Sequence, residues 1–356
     1  MFQLRHAAAP TPFVAIYLYQ PGDGGLDRVA ILLANHLHRR GARVELWMAR
    51  TDGPTAHLID PALTVRRVPA PRWARRLSMI AQFPALAMMT RRHRPDILYS
   101  AGNQSNMLVA LAALGTATQA VGRISNPIVR PGQTGFAAWV RRTRFRAIAH
   151  ASAMTIVMGE GDRAMLAQDG ALAGRQIWLL PRPTVTATME QARQARLPRA
   201  VGQPARLLMV GRLAPQKDQA LALAALAQLR HLDWRLIIAG HGPLLAALQA
   251  QCRALGIDDR IAFIGFVGDP DRMAALMGEA DLLLQPSRWE GLAATVIEAL
   301  ACGAGVVATD STANIRPILA AAAQHPVVPV GDVDGFARAI ERSLAHPAPP
   351  ERLAQA

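Results

Sequence analysis

The chain has 356 residues, a length that predicts two globular domains. Of these residues 51% are hydrophobic and 18% are charged, a composition that excludes an intrinsically disordered chain. The net charge of +14 requires a tolerant surface or an anionic partner, which could be nucleic acid, anionic lipid or a phosphorylated substrate. The two cysteines, Cys252 and Cys302, have no paired metal-ligand or redox spacing, and they fit a reducing cytosol.

Residues 1–190 predict a first domain of alternating strands and helices. In chain order we expect a strand at 13–19, a helix at 27–41, strands at 43–49 and 96–102, and a helix at 106–115. This alternation indicates a parallel sheet with crossover helices. Pro12 and Gln20 interrupt the first apolar run, so it predicts a strand and not a signal peptide. Every apolar stretch is too short to cross a bilayer.

Residues 191–204 are polar and lack an apolar stripe, so we predict a linker there. The pattern restarts in a second domain, 205–356. Strands are expected at 205–211, 234–240, 261–266, 281–287 and 305–310, with helices at 218–230, 243–256, 271–280 and 295–303. The sequence therefore predicts two tandem Rossmann-like, doubly wound α/β domains. Because open parallel sheets bind ligands beyond the carboxyl ends of their strands, we expect a working cleft between the domains.

The segment SRWEGLAATVIEALACG, residues 287–303, contains two glutamates with seven residues between them. Glu290 is expected in a loop after a buried strand, and Glu298 in the helix that follows. A carboxylate only accepts hydrogen bonds, which suits it to sugar hydroxyls. A helix cap or a solvated helix face is the other interpretation of such a pair.

The segment VGRLAPQKDQALAL, residues 210–223, places Arg212 and Lys217 between a strand and a helix. The free amides and positive dipole of a helix N-terminus attract phosphate, and an arginine fork and a lysine charge suit a diphosphate. An exposed basic loop is the alternative.

A glycine-rich turn lies between the first predicted strand and helix, where Gly24 and Gly25 would let the backbone approach a ligand. GDGG lacks the GxGxxG spacing, which argues against a nicotinamide dinucleotide site. Two Asp-x-Asp strings, 269–271 and 332–334, follow glycine. They predict polar turns or helix caps, so we expect no metal site.

The stretch DLLLQPSRWEGLAATVIEALACGAGVVATD, residues 281–310, resembles the donor-domain signature of the family 4 retaining glycosyltransferases, which have the two-domain GT-B fold. The matching residues are Pro286, Ser287, Glu290, Gly291, Glu298, Ala301, Cys302 and Gly303. The GRL and QK of residues 210–223 are similar to the same family.

The resemblance implies roles for these residues. Glu298 would hold the ribose hydroxyls of a nucleotide, and Glu290 would contact the transferred sugar. Arg212 and Lys217 would bind the donor diphosphate and stabilise the charge on the leaving group. The catalytic residues are therefore expected to be Glu290, Arg212 and Lys217. The remaining expected donor-binding residues are Gly24, Gly25, Gly211, Gly291, Leu292 and Val267.

The family commonly has a histidine after the central strand of its first domain, where this chain reads AVGRISNPIVRPG. Arg123, Ser125 and Asn126 stand there instead. Because polar residues after a strand usually face the cleft, we expect these three on the acceptor side.

The resemblance implies a metal-independent, retaining hexosyltransferase that takes a UDP- or GDP-sugar as substrate and needs no cofactor. The acceptor would be a glycan or a lipid-linked sugar, in polysaccharide or glycolipid synthesis. A nucleotide-sugar epimerase of GT-B shape and an inactive nucleotide-sugar-binding protein are the alternatives.

Two segments, 66–95 and 139–150, interleave arginine with large apolar residues, among them Trp73, Met79 and Phe83. Such segments suit an anionic membrane surface. A basic face on an ordinary packed helix is the other interpretation. We expect a cytoplasmic protein, peripheral on the inner face of the plasma membrane. No aromatic stacking platform accompanies the charge, so nucleic acid is not the expected partner.

Overall fold

The computed structural model describes residues 11–22, 25–69, 81–172, 174–180, 184–321 and 326–353. These residues form two compact units. The first unit consists of the described residues of Met1–Ile128, Trp139–Met158 and Arg163–Leu180; the second consists of those of Val129–Ala138, Gly159–Asp162 and Pro181–Ala356. Two short segments from the first half of the chain therefore belong to the second unit, as does the predicted linker, 191–204.

The first unit contains a parallel sheet in the order β3-β2-β1-β4-β5-β6-β7. Its strands are β1 (Phe13–Leu18), β2 (Arg43–Met48), β3 (Thr64–Arg67), β4 (Ile97–Ser100), β5 (Gln119–Arg123), β6 (Met154–Val157) and β7 (Ile177–Leu179). The described helices in this half of the chain are α1 (Gly25–Arg39), α2 (Phe83–His93), α3 (Asn106–Ala113), α4 (Gly135–Ala151) and α5 (Glu160–Ala167).

The second unit contains another parallel sheet, in the order β10-β9-β8-β11-β12-β13. Its strands are β8 (Ala205–Val210), β9 (Trp234–Ala239), β10 (Ile261–Gly265), β11 (Leu282–Gln285), β12 (Gly305–Thr309) and β13 (Val327–Val328). Its described helices are α6 (Ala187–Gln194), α7 (Gln219–Gln228), α8 (Leu245–Leu255), α9 (Pro270–Glu279), α10 (Ala294–Ala301), α11 (Ile315–Ala321), α12 (Val333–Ala345) and α13 (Pro350–Leu353).

Both faces of the second sheet are covered by apolar side chains. Along β11, Leu282 and Leu284 pack into one buried cluster with Trp234 and Phe336, whereas Leu283 packs into a second cluster with Val296. Successive side chains of a strand point to opposite faces, so a strand covered on both sides reads as a continuous apolar run. The predicted fold class, two Rossmann-like doubly wound α/β domains, is confirmed.

The two Asp-x-Asp strings are helix caps, as predicted. The side chain of Asp269 accepts a hydrogen bond from the Asp271 N–H at 3.0 Å, at the start of α9. Asp332 accepts one from the Gly335 N–H at 2.8 Å, at the start of α12. Among the helices that the structure describes, none is both long enough and apolar enough to cross a membrane.

Candidate functional site

The candidate site lies at the carboxyl ends of β8 and β11 in the second unit. These strands are neighbours, and the chain order of the sheet reverses between them. Such a switch point leaves a crevice between the loops that follow the two strands. Here the loops are tied together: the Arg288 N–H donates to the Gln216 carbonyl at 2.8 Å, and Gln216 Nε2 donates to the Trp289 carbonyl at 3.0 Å. The two loops therefore form one rigid rim.

Glu290 is buried in this rim, with 7% of its surface exposed. Its Oε1 accepts hydrogen bonds from Lys217 Nζ at 2.6 Å, Ser287 Oγ at 2.7 Å and Gln285 Nε2 at 2.9 Å. Among the described residues, its other oxygen, Oε2, accepts none. Charge-assisted bonds of this kind are strong, so one oxygen fixes the carboxylate and the other remains available to a ligand.

Lys217 is the only lysine in the sequence, in a chain that otherwise uses arginine for its basic side chains. Its side chain is 19% exposed and is paired with Glu290. A Cβ at Gly211 would lie 3.0 Å from Lys217 Cε, so glycine leaves room for the lysine stem. A lysine ammonium is a compact point charge, whereas a guanidinium is a broad planar fork. The limited space beside Gly211 therefore suits the compact ammonium.

The helices that follow the two loops, α7 and α10, are each preceded by a residue whose backbone is in the left-handed region. These residues are Asp218, with φ of +46°, and Ala293, with φ of +56°. Neither side chain caps its helix; the Asp218 carboxylate instead pairs with Arg288 at 2.8 Å. Strained backbone clusters at functional sites. Uncapped N–H groups and the positive helix dipole favour an anion at each N-terminus.

Arg212, in the loop after β8, is exposed. Its guanidinium makes no hydrogen bond or ion pair with the part of the chain that the structure describes. It lies in the same short loop as Lys217, which brings two cations of different shape to the N-terminus of α7. Together they can bind a multiply charged group such as a diphosphate.

Glu298 lies in α10 and is half-buried. It is four residues after Ala294, so both share one face of the helix, and helical side chains lean toward the N-terminus. Burial, and then the charge of Glu298, raise the pKa of the Cys302 thiol to about 12. The Glu298 carboxylate therefore lies near Cys302, which stays a neutral thiol at physiological pH.

The loop after β12 holds the backbone of Gly291, whose carbonyl accepts hydrogen bonds from Thr312 Oγ1 at 2.7 Å and Asn314 Nδ2 at 3.2 Å. Asn314 Nδ2 also donates to Asp162 Oδ2 at 2.8 Å. Asp162 is 2% exposed, and burial raises its pKa to about 6. Sequence reasoning did not select Thr312, Asn314 or Asp162. The signal for the first two was the run of polar residues after a buried strand.

The loops that follow β9 and β10 lie at the same edge of the sheet as the candidate site. Gly240 follows β9 with φ of +157°, and its N–H donates to the Gly265 carbonyl at 2.7 Å. The His241 and Phe266 rings meet edge to face at 5.7 Å between centroids. Val267, the residue after Phe266, is half-buried. A planar ring could rest on this edge beside the anion site.

The three residues expected on the acceptor side differ in burial in the structure. Arg123 and Ser125 are buried, with 5% and 8% exposed. The Arg123 N–H donates to Asn106 Oδ1 at 3.1 Å, and the Ser125 N–H donates to Asn103 Oδ1 at 2.7 Å. These contacts fix the backbone after β5.

Of the same three residues, only Asn126 is exposed. Of the glycines expected in the N-terminal loop, Gly25 begins α1, and Gly24 lies outside the described residues. The ranges that the structure describes contain no group of three or more His, Cys, Asp or Glu residues arranged to hold a metal ion.

Two curated proteins are similar to parts of the chain. The 2-deoxystreptamine glucosyltransferase of Streptomyces kanamyceticus is 34% identical over 148 residues, which are 39% of this chain and 36% of that protein. The GDP-mannose-dependent alpha-(1-6)-phosphatidylinositol dimannoside mannosyltransferase of Mycobacterium tuberculosis is 37% identical over 121 residues, 33% of this chain and 31% of that protein. The chain thus covers about a third of the length of these curated relatives.

The whole chain is similar in fold to solved structures. The crystal structure of Anabaena Alr3699/HepE in complex with UDP-glucose superposes with a TM-score of 0.74 at 17% identity, covering 97% of this chain and 93% of that one. Among family models, Glycosyl transferase 4-like domain matches residues 24–182 and Glycosyl transferases group 1 matches residues 191–356. The protein therefore belongs to the glycosyl transferases group 1 family.

Proposed function

We propose that the protein transfers a hexosyl group from a nucleotide-sugar to a glycan or lipid-linked acceptor. The observation that carries this proposal is the pair of Lys217 and Glu290 at the switch point of the second sheet, flanked by two uncapped helix N-termini. A cationic cradle beside an oriented carboxylate suits a ligand that joins a diphosphate to a polyhydroxylated ring.

In this proposal the donor diphosphate binds between the N-termini of α7 and α10, where Arg212 and Lys217 contact it. Glu290 uses its unbonded Oε2 to accept a hydrogen bond from a hydroxyl of the transferred sugar. Glu298, on the face of α10 that leans toward the first turn, accepts hydrogen bonds from the ribose hydroxyls. Gly211, Gly291 and Leu292 contribute backbone groups, and the base rests near Val267.

The proposed reaction is a transfer with retention of configuration. As the bond between the sugar and the diphosphate breaks, negative charge grows on the departing phosphate, and Arg212 and Lys217 stabilise it. The acceptor hydroxyl attacks from the face of the leaving group, and the departing phosphate takes its proton. The chain then needs no carboxylate nucleophile, no metal ion and no cofactor for this step.

The nucleotide and the acceptor are proposed by class. The mycobacterial relative is named for GDP-mannose and a phosphatidylinositol dimannoside, and the similar Anabaena structure contains UDP-glucose. These names support a UDP- or GDP-sugar donor, with a lipid-linked sugar among the candidate acceptors.

A peripheral membrane location, on the inner face of the plasma membrane, is part of the proposal. Its support is α4, which exposes Phe136 and Trp139 to 77% and 58% beside the exposed Arg142. Aromatic side chains and arginine together suit an anionic lipid interface. Of the other segment expected at a membrane, 66–95, Phe83 and Met88 are exposed, whereas Trp73 and Met79 lie outside the described residues.

The test is release of nucleoside diphosphate by the purified protein from a panel of UDP-, GDP- and ADP-sugars, with and without membrane lipid extract and with EDTA. We expect release from one donor class that requires the extract and survives EDTA. Glu298→Ala should abolish it. Glu279→Ala, which removes an exposed carboxylate at the end of α9, should not. Interconversion of sugars without acceptor would instead identify an epimerase, and nucleotide binding without release an inactive binding protein.

A further inference from the structure

A cavity of about 740 Å³ lies in the second unit, next to the residues where β11 and β12 begin, Leu282 and Gly305. It is therefore at the amino ends of these strands, whereas the donor site is at their carboxyl ends. Part of its wall comes from the residues after α6, and part from the end of α12 and the segment that follows. Its charged and titratable lining residues are Arg196, Arg199, Asp281, Arg342 and His346.

Positive charge is in excess around this cavity. Asp281 is its one acidic lining residue in the described part of the chain. That carboxylate already pairs with Arg206 at 2.8 Å, and with Arg196 and Arg199 at 3.7 and 3.6 Å. Several guanidinium groups thus share a single carboxylate. Burial, together with the nearby charge of Arg206, lowers the pKa of Arg196 despite the opposing effect of Asp281. A bound anion would relieve this excess.

Two arginines at the cavity still have donors to offer. Arg342 is exposed, and its guanidinium makes no hydrogen bond or ion pair with any described residue. Arg199 donates from Nη1 to the Gln203 carbonyl at 3.0 Å and lies 3.6 Å from Asp281 through Nε, while its Nη2 makes no hydrogen bond with any described residue. Arg196, by contrast, donates to the carbonyls of Gly278 and Ala280 at 2.6 and 2.7 Å. It is a fixed element of the wall.

Apart from Ser343, the rest of the wall consists of apolar residues and glycine. It includes Leu282, Leu344 and prolines 198, 347, 349 and 350, which have no N–H to donate. A cavity of this volume is in the range that binds whole small molecules, and a mostly apolar lining with a few convergent polar groups is typical of such sites. The ligand should therefore be larger than an inorganic ion and should carry its charge at one end.

We propose that this cavity binds the phosphate group of an organic phosphate ester, with Arg199 and Arg342 as its donors and the proline-rich wall against its uncharged part. Guanidinium forks match phosphate oxygens in geometry and charge. The ester is either a free phosphorylated metabolite or the headgroup of an anionic phospholipid. Each contains a phosphate next to a carbon skeleton.

The first experiment measures binding of inorganic pyrophosphate by calorimetry, in a background of Arg212→Gln combined with Lys217→Gln that removes both cations of the donor site. We expect Arg199→Gln combined with Arg342→Gln to weaken binding at least about tenfold. Arg253→Gln combined with Arg338→Gln removes the same charge from exposed positions of α8 and α12 outside the cavity and should leave binding unchanged. Thermal unfolding of each variant checks that the fold is intact, which we expect because Arg342 has no described partner to lose and Asp281 keeps its closer pair with Arg206 when Arg199 is replaced.

A second arm separates the two sources of phosphate. Flotation with vesicles of phosphatidylglycerol, and with vesicles of phosphatidylcholine as control, should show arginine-dependent binding only to the former if the ester is a lipid headgroup. Pyrophosphate binding that depends on the arginines, without vesicle binding, would assign the site to a free metabolite. If neither probe responds to the double substitution, the proposal is wrong.

Discussion

The buried carboxylate of Asp162 predicts a pH dependence of stability that one substitution should remove. Asp162 contacts Asn314 through two hydrogen bonds, one from its own N–H at 3.3 Å and one to its Oδ2 at 2.8 Å. Burial raises its pKa from 3.8 to about 6, against the smaller lowering effect of Asn314. The folded chain therefore holds the proton more tightly than the unfolded chain. Stability from this group is complete below pH 3.8 and is lost as the pH rises through about 6.

The difference between the two pKa values corresponds to about 3 kcal/mol, of which about 2 kcal/mol falls between pH 4.5 and pH 8. Asp162→Asn resembles the neutral form and can still accept the bond from Asn314. For a unit of this size, about 2 kcal/mol shifts the midpoint of thermal unfolding by about 4–8 °C. We therefore expect the melting temperature of the variant, relative to the unchanged protein, to rise by about that amount from pH 4.5 to pH 8.

The assay is thermal unfolding of both proteins at half-unit steps of pH, with the difference taken at each pH so that other titrating groups cancel. Asn314→Ala is the opposite control. It removes a donor from the ionised carboxylate, so it should destabilise the protein more at pH 8 than at pH 4.5. A difference between Asp162→Asn and the unchanged protein that is constant over this range would refute the reasoning.

The donor site supports three further predictions. Glu290→Gln leaves the Lys217 ammonium without its carboxylate and should cost about 3 kcal/mol of stability in thermal unfolding, with kcat at least about 100-fold lower; unchanged stability would contradict the pairing. Lys217→Arg should lower kcat at least about tenfold in the release assay, because the larger fork does not fit over Gly211; full activity would show that shape is unimportant. Gly240→Ala would place its Cβ against the Gly211 carbonyl and should destabilise the protein by more than about 2 kcal/mol. Gly331→Ala, at a φ of +89° where an added Cβ would meet no described atom within 4 Å, should cost about 1 kcal/mol. Equal losses in the two variants would argue against the overlap.

The central strands of the second sheet could be predicted because each is a buried apolar run between turn residues. The strand expected at 205–211 is β8, Ala205–Val210, and the one expected at 305–310 is β12, Gly305–Thr309. No bounds were predicted for β3, β7 and β13, which lie at edges of the two sheets, or for the interior strands β5 and β6 of the first sheet. Edge strands are short and pair on one side only, so they need no continuous apolar run: β3 reads TVRR, and β13 has two residues.

The sequence predicts which loops form the candidate site, but it does not predict the contacts between their side chains. Parallel neighbouring strands bring the loops of Lys217 and Glu290 to one edge, but the sequence does not specify which oxygen of Glu290 is bonded or that Gln285 supplies a donor. The bond between Asp162 and Asn314 joins residues 152 positions apart, and no local spacing indicates it. A further local signal is the single lysine in an arginine-rich chain, which marks a position where a compact point charge stands in place of the usual guanidinium.

That lysine also provides the most direct test of the donor site. Protein grown with lysine labelled at Cε with ¹³C should give one side-chain resonance, because Lys217 is the only lysine in the sequence. We predict that this resonance shifts on saturation with the nucleoside diphosphate of the active donor, and that it stays in place with the corresponding nucleoside. A resonance that is unchanged while calorimetry shows the diphosphate bound would place the diphosphate elsewhere and contradict the account.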